Sequence, residues 1–390
     1  MKQSDWVKIV LLASLVSFFS CENKATSPEE EIGITIFPIA ENITQNTTWQ
    51  TGKVYIIENS IKIDSATLII EPEARIEFKY KTNLVVGAGS GIIARGLVNQ
   101  PIRFTSHDQR PEKGFWEYLE IADSANNAAV EFYNCIFENG GGTWVKPGML
   151  VISKGSAAKV SNCVFLNSNT YGIYVEEGGQ FYKCEHNTIF NCDHAPVCIS
   201  ARQAHTVGPG NYSRNKQCCI RLTGATLNEE NVSWRKLDVP YLLSESIQIK
   251  GVTLTIEPGT EIQLSKDVNV KIEDNGALVA AGTLNDMITF TSLKKLNAPG
   301  YWEGLIFTNS NWLQSELSHC IFEYGGGSTA YPGMIYLAKG ENVDIYNNLF
   351  QYSGQYAIYL APGNSVEKQT EYLSTNTFVG NLAGEVFLGN

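Results

Sequence analysis

The chain has 390 residues, nine cysteines and a formal net charge of −11 at pH 7. An acidic chain without a basic block is a poor partner for nucleic acid. It favours a polyanion only where a local basic groove or bound cations offset its field.

At the amino terminus, Lys2 and Lys8 precede the apolar run Ile9-Val-Leu-Leu-Ala-Ser-Leu-Val-Ser-Phe-Phe-Ser20. It is too short to span a bilayer and long enough for a signal-peptide core. The run stops at Cys21. This resembles a bacterial lipoprotein signal, in which cleavage before the cysteine leaves a thiol to be acylated. Val16-Ser-Phe-Phe-Ser20 departs from the usual Leu-Ala-Gly lipobox at Phe19, a departure tolerated in Bacteroidetes among other phyla; an ordinary secretory peptide is the alternative. The polar segment Glu22-Asn-Lys-Ala-Thr-Ser-Pro-Glu-Glu-Glu31 reads as a tether whose acidic character resembles surface-export signals. The expectation is a signal peptide at 1–20 and an acylated tether and N-terminal cap at 21–48. The protein would then be an outer-membrane lipoprotein facing outward, held to the membrane by its lipid alone.

Beyond residue 48 the chain is duplicated. Leu68-Ile-Ile-Glu-Pro-Glu-Ala-Arg-Ile76 returns as Leu254-Thr-Ile-Glu-Pro-Gly-Thr-Glu-Ile262, and Pro101-Ile-Arg-Phe-Thr-Ser106 as Met287-Ile-Thr-Phe-Thr-Ser292, both 186 residues later. Gly114-Phe-Trp-Glu117 matches Gly300-Tyr-Trp-Glu303 in the same register, which slips by one before Cys135-Ile-Phe-Glu-Asn-Gly-Gly-Gly142 matches Cys320-Ile-Phe-Glu-Tyr-Gly-Gly-Gly327. The chain is therefore an array.

Inside each half runs a shorter repeat. Asn134-Cys-Ile-Phe137, Asn162-Cys-Val-Phe165 and Asn187-Thr-Ile-Phe190 follow at intervals of 28 and 25, and His319-Cys-Ile-Phe322 and Asn347-Asn-Leu-Phe350 repeat the pattern at 28. Each has an apolar residue at every second position, the period of a strand with one face buried, and Gly, Asn and Ser clusters between them read as turns. No run has a helical period long enough to matter. One strand per roughly 25 residues builds a coil, so the predicted fold is all-β, a right-handed parallel β-helix of about 13 or 14 coils and about 65 Å in length. Residues 49–225 and 226–390 form its two repeat halves in one continuous solenoid with a seam near 225–240. Asn134, Asn162, Asn187 and Asn347 are expected where a strand ends and bends, bonding amides of neighbouring coils.

Cys135, Cys163 and Cys320 fall in one inward slot and read as small buried hydrophobes. Cys184, Cys192, Cys198, Cys218 and Cys219 crowd the region between the halves, where an exported protein could form a local disulfide. His186, Asp193, His194 and His205 lie in the same stretch, but their spacings match no Cys/His zinc template. Neither a metal site nor a cofactor is expected.

Leu254 to Thr260, Gly300-Tyr-Trp-Glu-Gly-Leu305 and the two Cys-Ile-Phe-Glu-x-Gly-Gly-Gly segments resemble the right-handed β-helix repeat lipoproteins of the pectin-lyase-like superfamily, Bacteroidetes type, over most of residues 50–390. That resemblance implies the fold and not an activity. Polygalacturonase-like relatives carry Asn-Thr-Asp, Asp-Asp, Gly-His-Gly and Arg-Ile-Lys, none of which occurs in this chain. Pectate-lyase-like enzymes need several carboxylates on calcium beside an Arg or Lys base, and Asp193-His194 echoes one such motif by two residues only. Glu117 with Glu138, and Glu303 with Glu323, recur beside aromatics in both halves, yet one active site rarely appears twice along one rod. No catalytic residue is assigned.

What remains is a binding surface. The equivalent loops Gly140-Gly-Gly-Thr-Trp-Val-Lys-Pro-Gly148 and Gly325-Gly-Gly-Ser-Thr-Ala-Tyr-Pro-Gly333 each hold one aromatic, Trp144 or Tyr331, on a turn where a sugar ring could stack. The expected partner is a polysaccharide or cell-surface glycan, met by Trp144, Tyr331 and the four glutamates. The leading reading is thus a non-catalytic surface rod that binds glycans or acts in adhesion, a polysaccharide lyase or glycoside hydrolase is the second and a structural spacer the third. At the carboxyl end, Leu382 to Asn390 is an apolar strand-like segment, expected to be covered by residues 361–373 or paired with a second molecule.

Overall fold

The computed structural model describes residues 35–293, 298–310 and 313–389. The signal segment, Cys21 and the acidic tether lie outside them. The described chain winds as a right-handed parallel β-helix of about 14 turns with all-parallel sheets.

Alternation sets the inside of the coil. In Cys135–Glu138 and Ile102–Ser106 every second side chain turns inward, and equivalent residues stack from coil to coil. The inward phenylalanines form columns: Phe104, Phe137 and Phe165 lie face to face at 4.6 and 4.5 Å, and Phe290, Phe322, Phe350 and Phe378 at 5.0, 4.8 and 5.5 Å. These columns belong to one core that runs unbroken from Ile43 to Val386.

The strand ends correct one sequence expectation. Asn134, Asn162 and Asn347 take the left-handed bend, as does His319 (φ 49°, 54°, 57° and 50°). Asn187 does not: Phe165 pairs with Ile189, not Phe190, so the repeat is one residue out of step and His186 (φ 56°) occupies the bend. Asn187 instead points inward, in the slot of Cys163. Its Oδ1 accepts the Cys163 N–H at 2.9 Å and its Nδ2 donates to the Val160 carbonyl at 2.9 Å. Asn348 does the same for the Cys320 N–H (2.8 Å) and the Leu317 carbonyl (2.7 Å). Cysteine and asparagine thus share one inward slot, one filling space and the other satisfying the backbone at the corner. Asn348→Leu leaves two buried groups without partners and should cost about 2–4 kcal/mol, read as a lower denaturation midpoint at unchanged slope.

No local disulfide is formed where the crowded cysteines allowed one: all eight described cysteines are free thiols, and Cys218 alone among them is exposed. Burial pushes the Cys198 thiol up to about 11 and the Cys219 thiol up to about 12, as expected of packed side chains.

The two halves do not stack in register around the axis. In the first half the faces are an eight-stranded sheet from Ile36–Ile39 to Gly210–Asn211, a six-stranded sheet from Thr47–Trp49 to Gln180–Glu185, and the first six strands of a thirteen-stranded sheet that begins at Ile61–Ile63. The thirteen-stranded sheet alone crosses the seam, ending at Thr377–Val379; a seven-stranded sheet from Ala225–Leu227 and a five-stranded sheet from Val232–Trp234 replace the other two. Ile102–Ser106 lies in the eight-stranded sheet, but its duplicate Ile288–Ser292 lies in the thirteen-stranded one. Likewise Leu119–Ile121 lies in the thirteen-stranded sheet and its duplicate Gly304–Thr308 in the seven-stranded one. The second half is therefore turned by one face relative to the first. The turn is made where the short 3₁₀ segment Ala201–Thr206 and the two-residue strand Gly210–Asn211 interrupt regular coiling.

Ile36–Ile39 pairs with Val54–Ile57, and the side-chain carbonyls of Asn42 and Asn46 accept the N–H groups of Lys62 and Thr67, each at 2.9 Å. At the other end residues 361–373 do not cover the last coil: a helix not expected from the sequence packs on Val343–Tyr346 and beside Gly384–Leu388, and Thr377–Val379 and Gly384–Leu388 end their sheets. Val366–Thr375 is capped by Ser365, whose Oγ accepts the Lys368 N–H at 3.3 Å. It takes the place of a further strand beyond Val343–Tyr346, the last of the five-stranded sheet. Tyr372 is its only buried residue and donates its hydroxyl to the Val343 carbonyl at 2.6 Å.

Candidate functional site

The recurring Gly-Gly-Gly phrases are explained by packing. Trp116 is fully buried, stacks on Phe78 at 4.4 Å and donates Nε1–H to the Glu138 carbonyl at 2.8 Å. Gly140 lies flat against its indole, where a Cβ would come within 2.5 Å of the ring. Trp302 repeats the arrangement with the Glu323 carbonyl (2.7 Å) and Gly325 (2.7 Å). The glutamate side chains tie coils together. Glu117 accepts from Asn83 at 2.7 Å and Glu303 from Asn269 at 2.6 Å; Glu138 pairs with Arg103 at 3.1 Å, and Glu323 accepts from Thr291 at 2.9 Å and from Gln351. They occupy the same corners as Trp144 and Tyr331, with oxygens committed to the rod itself.

Trp144 stands apart from that packing. It is 70% exposed on the loop between Cys135–Glu138 and Gly148–Ile152, at the corner joining the eight- and thirteen-stranded sheets. Successive coils place Tyr80, Phe115, Trp144, Tyr171 and His194 along this corner, a row about 20 Å long at the interstrand spacing. His194 lies edge-on to Trp144 (5.2 Å, 84°) and 5.0 Å from Tyr171, and Tyr80 meets Phe115 at 5.6 Å. Burial, then the charges of Arg221 and Lys216, holds the His194 imidazole below its ordinary range against the opposing Asp193, so it is neutral at pH 7. Beside the row opens a groove of about 450 Å³ whose lining includes Tyr80, Lys81, Arg110, Lys113, Phe115 and Asn169. Lys113 pairs with Asp193 at 2.9 Å, which joins the groove to the His194 end. Asp108 and Glu112 line the same groove, so its charge is mixed rather than basic.

Lys146 anchors the Trp144 loop. Its ammonium meets Glu120 at 2.8 Å, Glu176 at 2.6 Å and Ser153 at 3.1 Å. Burial alone would lower the Lys146 pKa, but the bonds to Glu120 and Glu176 win and raise it; burial would raise that of Glu176, but Lys146 wins and lowers it. A depressed carboxylate contributes stability above its unfolded value and loses it as pH falls through the folded one; a raised lysine loses its contribution only in strong alkali. The Lys146–Glu176 part of the anchor is thus complete at neutral pH and is lost as pH falls through the lowered Glu176 value, below the ordinary carboxylate range. Lys146→Ala should raise amide exchange at residues 143–147 at pH 7, and acidification of the wild type should produce the same change.

The second-half corner carries Tyr301, Tyr331 and Tyr356, between the thirteen- and seven-stranded sheets. Tyr331 folds back onto the rod, edge-on to Tyr336 at 5.0 Å. Tyr336, Tyr359 and Phe387 are paired outward positions of adjacent strands, stacked at 5.6 and 5.1 Å, and Tyr356 stacks on Phe387 at 4.6 Å. Sequence reading missed this strip, although three aromatics at the outward phase of successive strands were a usable signal.

Asp193-His194 makes no metal centre: Asp193 is bound to Lys113, and among the described residues no three His, Cys, Asp or Glu side chains converge to hold an ion.

Residues 225–331 match the family model for a pectate-lyase-like β-helix domain. No curated protein and no solved structure gives a match. The matched stretch takes in Trp302, Glu303, Glu323 and Tyr331, while the Trp144 row and Tyr336, Tyr356, Tyr359 and Phe387 lie outside it. The match describes a fold, and chemistry must be argued from residues.

Proposed function

We propose that this protein is a non-catalytic glycan-binding rod, displayed on a bacterial outer surface by an acylated Cys21. The exposed Trp144, held edge-on to a neutral His194 in a row of aromatics beside a groove with basic groups, carries the reading. An indole this exposed is costly unless a ligand covers it, and a row of ring faces flanked by hydrogen-bonding side chains suits an extended polyhydroxylated chain. The acids that could have formed a hydrolytic pair instead bond to neighbouring coils. Trp144→Ala should lower affinity for a bound polysaccharide at least tenfold with unchanged melting, measured on immobilised cellulose, xylan and polygalacturonate. Unchanged affinity on every surface that binds the wild type would remove Trp144 from the site. The anchor has its own test: Cys21→Ser should move the protein from membranes to the soluble fraction, because stable attachment takes acyl chains.

A further inference from the structure

We infer that the rod carries two separate glycan platforms facing different directions, so that one molecule bridges two polysaccharide chains. This rests on the glycan-binding reading of the Trp144 row. Duplication supplied the second half with its own corner aromatics: Phe115 and Tyr171 are matched by Tyr301 and Tyr356, while the second loop carries its aromatic, Tyr331, at the position of Lys146 rather than of Trp144. Had the halves stacked in register, the two rows would lie on one edge and could serve one long chain. They do not, because the thirteen-stranded sheet joins non-equivalent faces across the seam. The first row lies at the boundary of the eight- and thirteen-stranded sheets and the second at that of the thirteen- and seven-stranded sheets. Along the axis the Trp144 and Tyr331 loops are about 35 Å apart at the interstrand spacing.

The second platform differs in character. Tyr331, Tyr336, Tyr356, Tyr359 and Phe387 form a stacked strip over the last three strands of the seven-stranded sheet. None of the four tyrosine hydroxyls has a hydrogen-bond partner among the described residues, and none is among the buried atoms that lack one. They are therefore left to solvent. Burial first, then its neighbours Tyr359 and Tyr331, raises the Tyr336 pKa, so that hydroxyl stays a donor at neutral pH. Ring faces for the C–H side of a sugar and free hydroxyls for its oxygens select a neutral polysaccharide, whereas the first platform has the charged side chains of Lys81, Arg110, Lys113, Asp108 and Glu112 beside it.

Titration calorimetry with oligosaccharides of cellulose, xylan and polygalacturonate, run on the wild type, Trp144→Ala and the double variant Tyr336→Ala/Tyr359→Ala, tests this. Two binding events are expected in the wild type and one in each variant, the neutral oligosaccharides being lost from the tyrosine variant. Light scattering with a mixture of soluble xylan and polygalacturonate should show cross-linking by the wild type and by neither variant. A single event abolished by Trp144→Ala and untouched by the tyrosine variant would overturn the second platform and leave the proposed function standing. A single event abolished only by the tyrosine variant would overturn both the bridging and the role of Trp144. No event in the wild type would overturn both readings, and two events in a tyrosine variant that melts like the wild type would refute the strip as the second site.

Discussion

Trp302→Ala is expected to lower the melting temperature of the rod by about 5–10 °C, and Trp116→Ala to do the same. Each indole is fully buried, makes one hydrogen bond to a glutamate carbonyl and supports a glycine corner of the next coil. Truncating a buried tryptophan costs about 3–5 kcal/mol, and the shift per kcal/mol shrinks as chains lengthen. The effect should also spread. In a solenoid each coil rests on its neighbours, so a collapsed corner loosens the loops on either side, including that of Trp144 in the first half. Thermal scans at two rates with limited proteolysis check this, since a large rod is prone to unfold irreversibly. Gly140→Val, which drives a side chain into the indole, should reproduce the defect; its failure to do so would mean that the corner tolerates far more than its geometry implies.

Tyr372→Ala is expected to make the rod associate more strongly through its carboxyl end. Tyr372 is the helix's one buried anchor, and its hydroxyl satisfies a carbonyl of the last strand in the five-stranded sheet. Without it, Val343–Tyr346 presents an open edge above the buried Val343 and Ile345. Open edges with apolar side chains behind them pair with other chains. Light scattering after size exclusion should show dimers or larger species in the variant. Phe387→Lys should leave this cap closed, because Phe387 faces outward against Tyr356 and Tyr359 rather than into the core.

Much of the fold was legible because alternation and duplication are written residue by residue. The inward phenylalanines and Cys135, Cys163 and Cys320 fell where the pattern put them. The misplacement of Asn187 has a definite cause: His186 can take the left-handed bend and Asn187 can replace an inward cysteine, so two neighbours exchanged roles without leaving the pattern. The helix Val366–Thr375 escaped notice because a cap that rests on Tyr372 alone has no apolar stripe. The turn by one face was invisible for another reason. A repeat records spacing along the chain, and the orientation of one half about the axis is decided by which sheet crosses the seam. Trp144 was readable as a lone aromatic on a glycine loop, but its partners Tyr171 and His194 come from the next two coils and depend on the stacking.

The central claim is binding without turnover. It is tested most directly by incubating the purified protein with cellulose, xylan and polygalacturonate while recording bound protein together with new reducing ends and new unsaturated ends. The account predicts saturable binding that Trp144→Ala weakens at least tenfold, with neither kind of new end above a protein-free control. Chain ends that accumulate in proportion to protein and vanish when Glu117, Glu138, Glu303 and Glu323 are all replaced by Gln in a variant that still binds would contradict it.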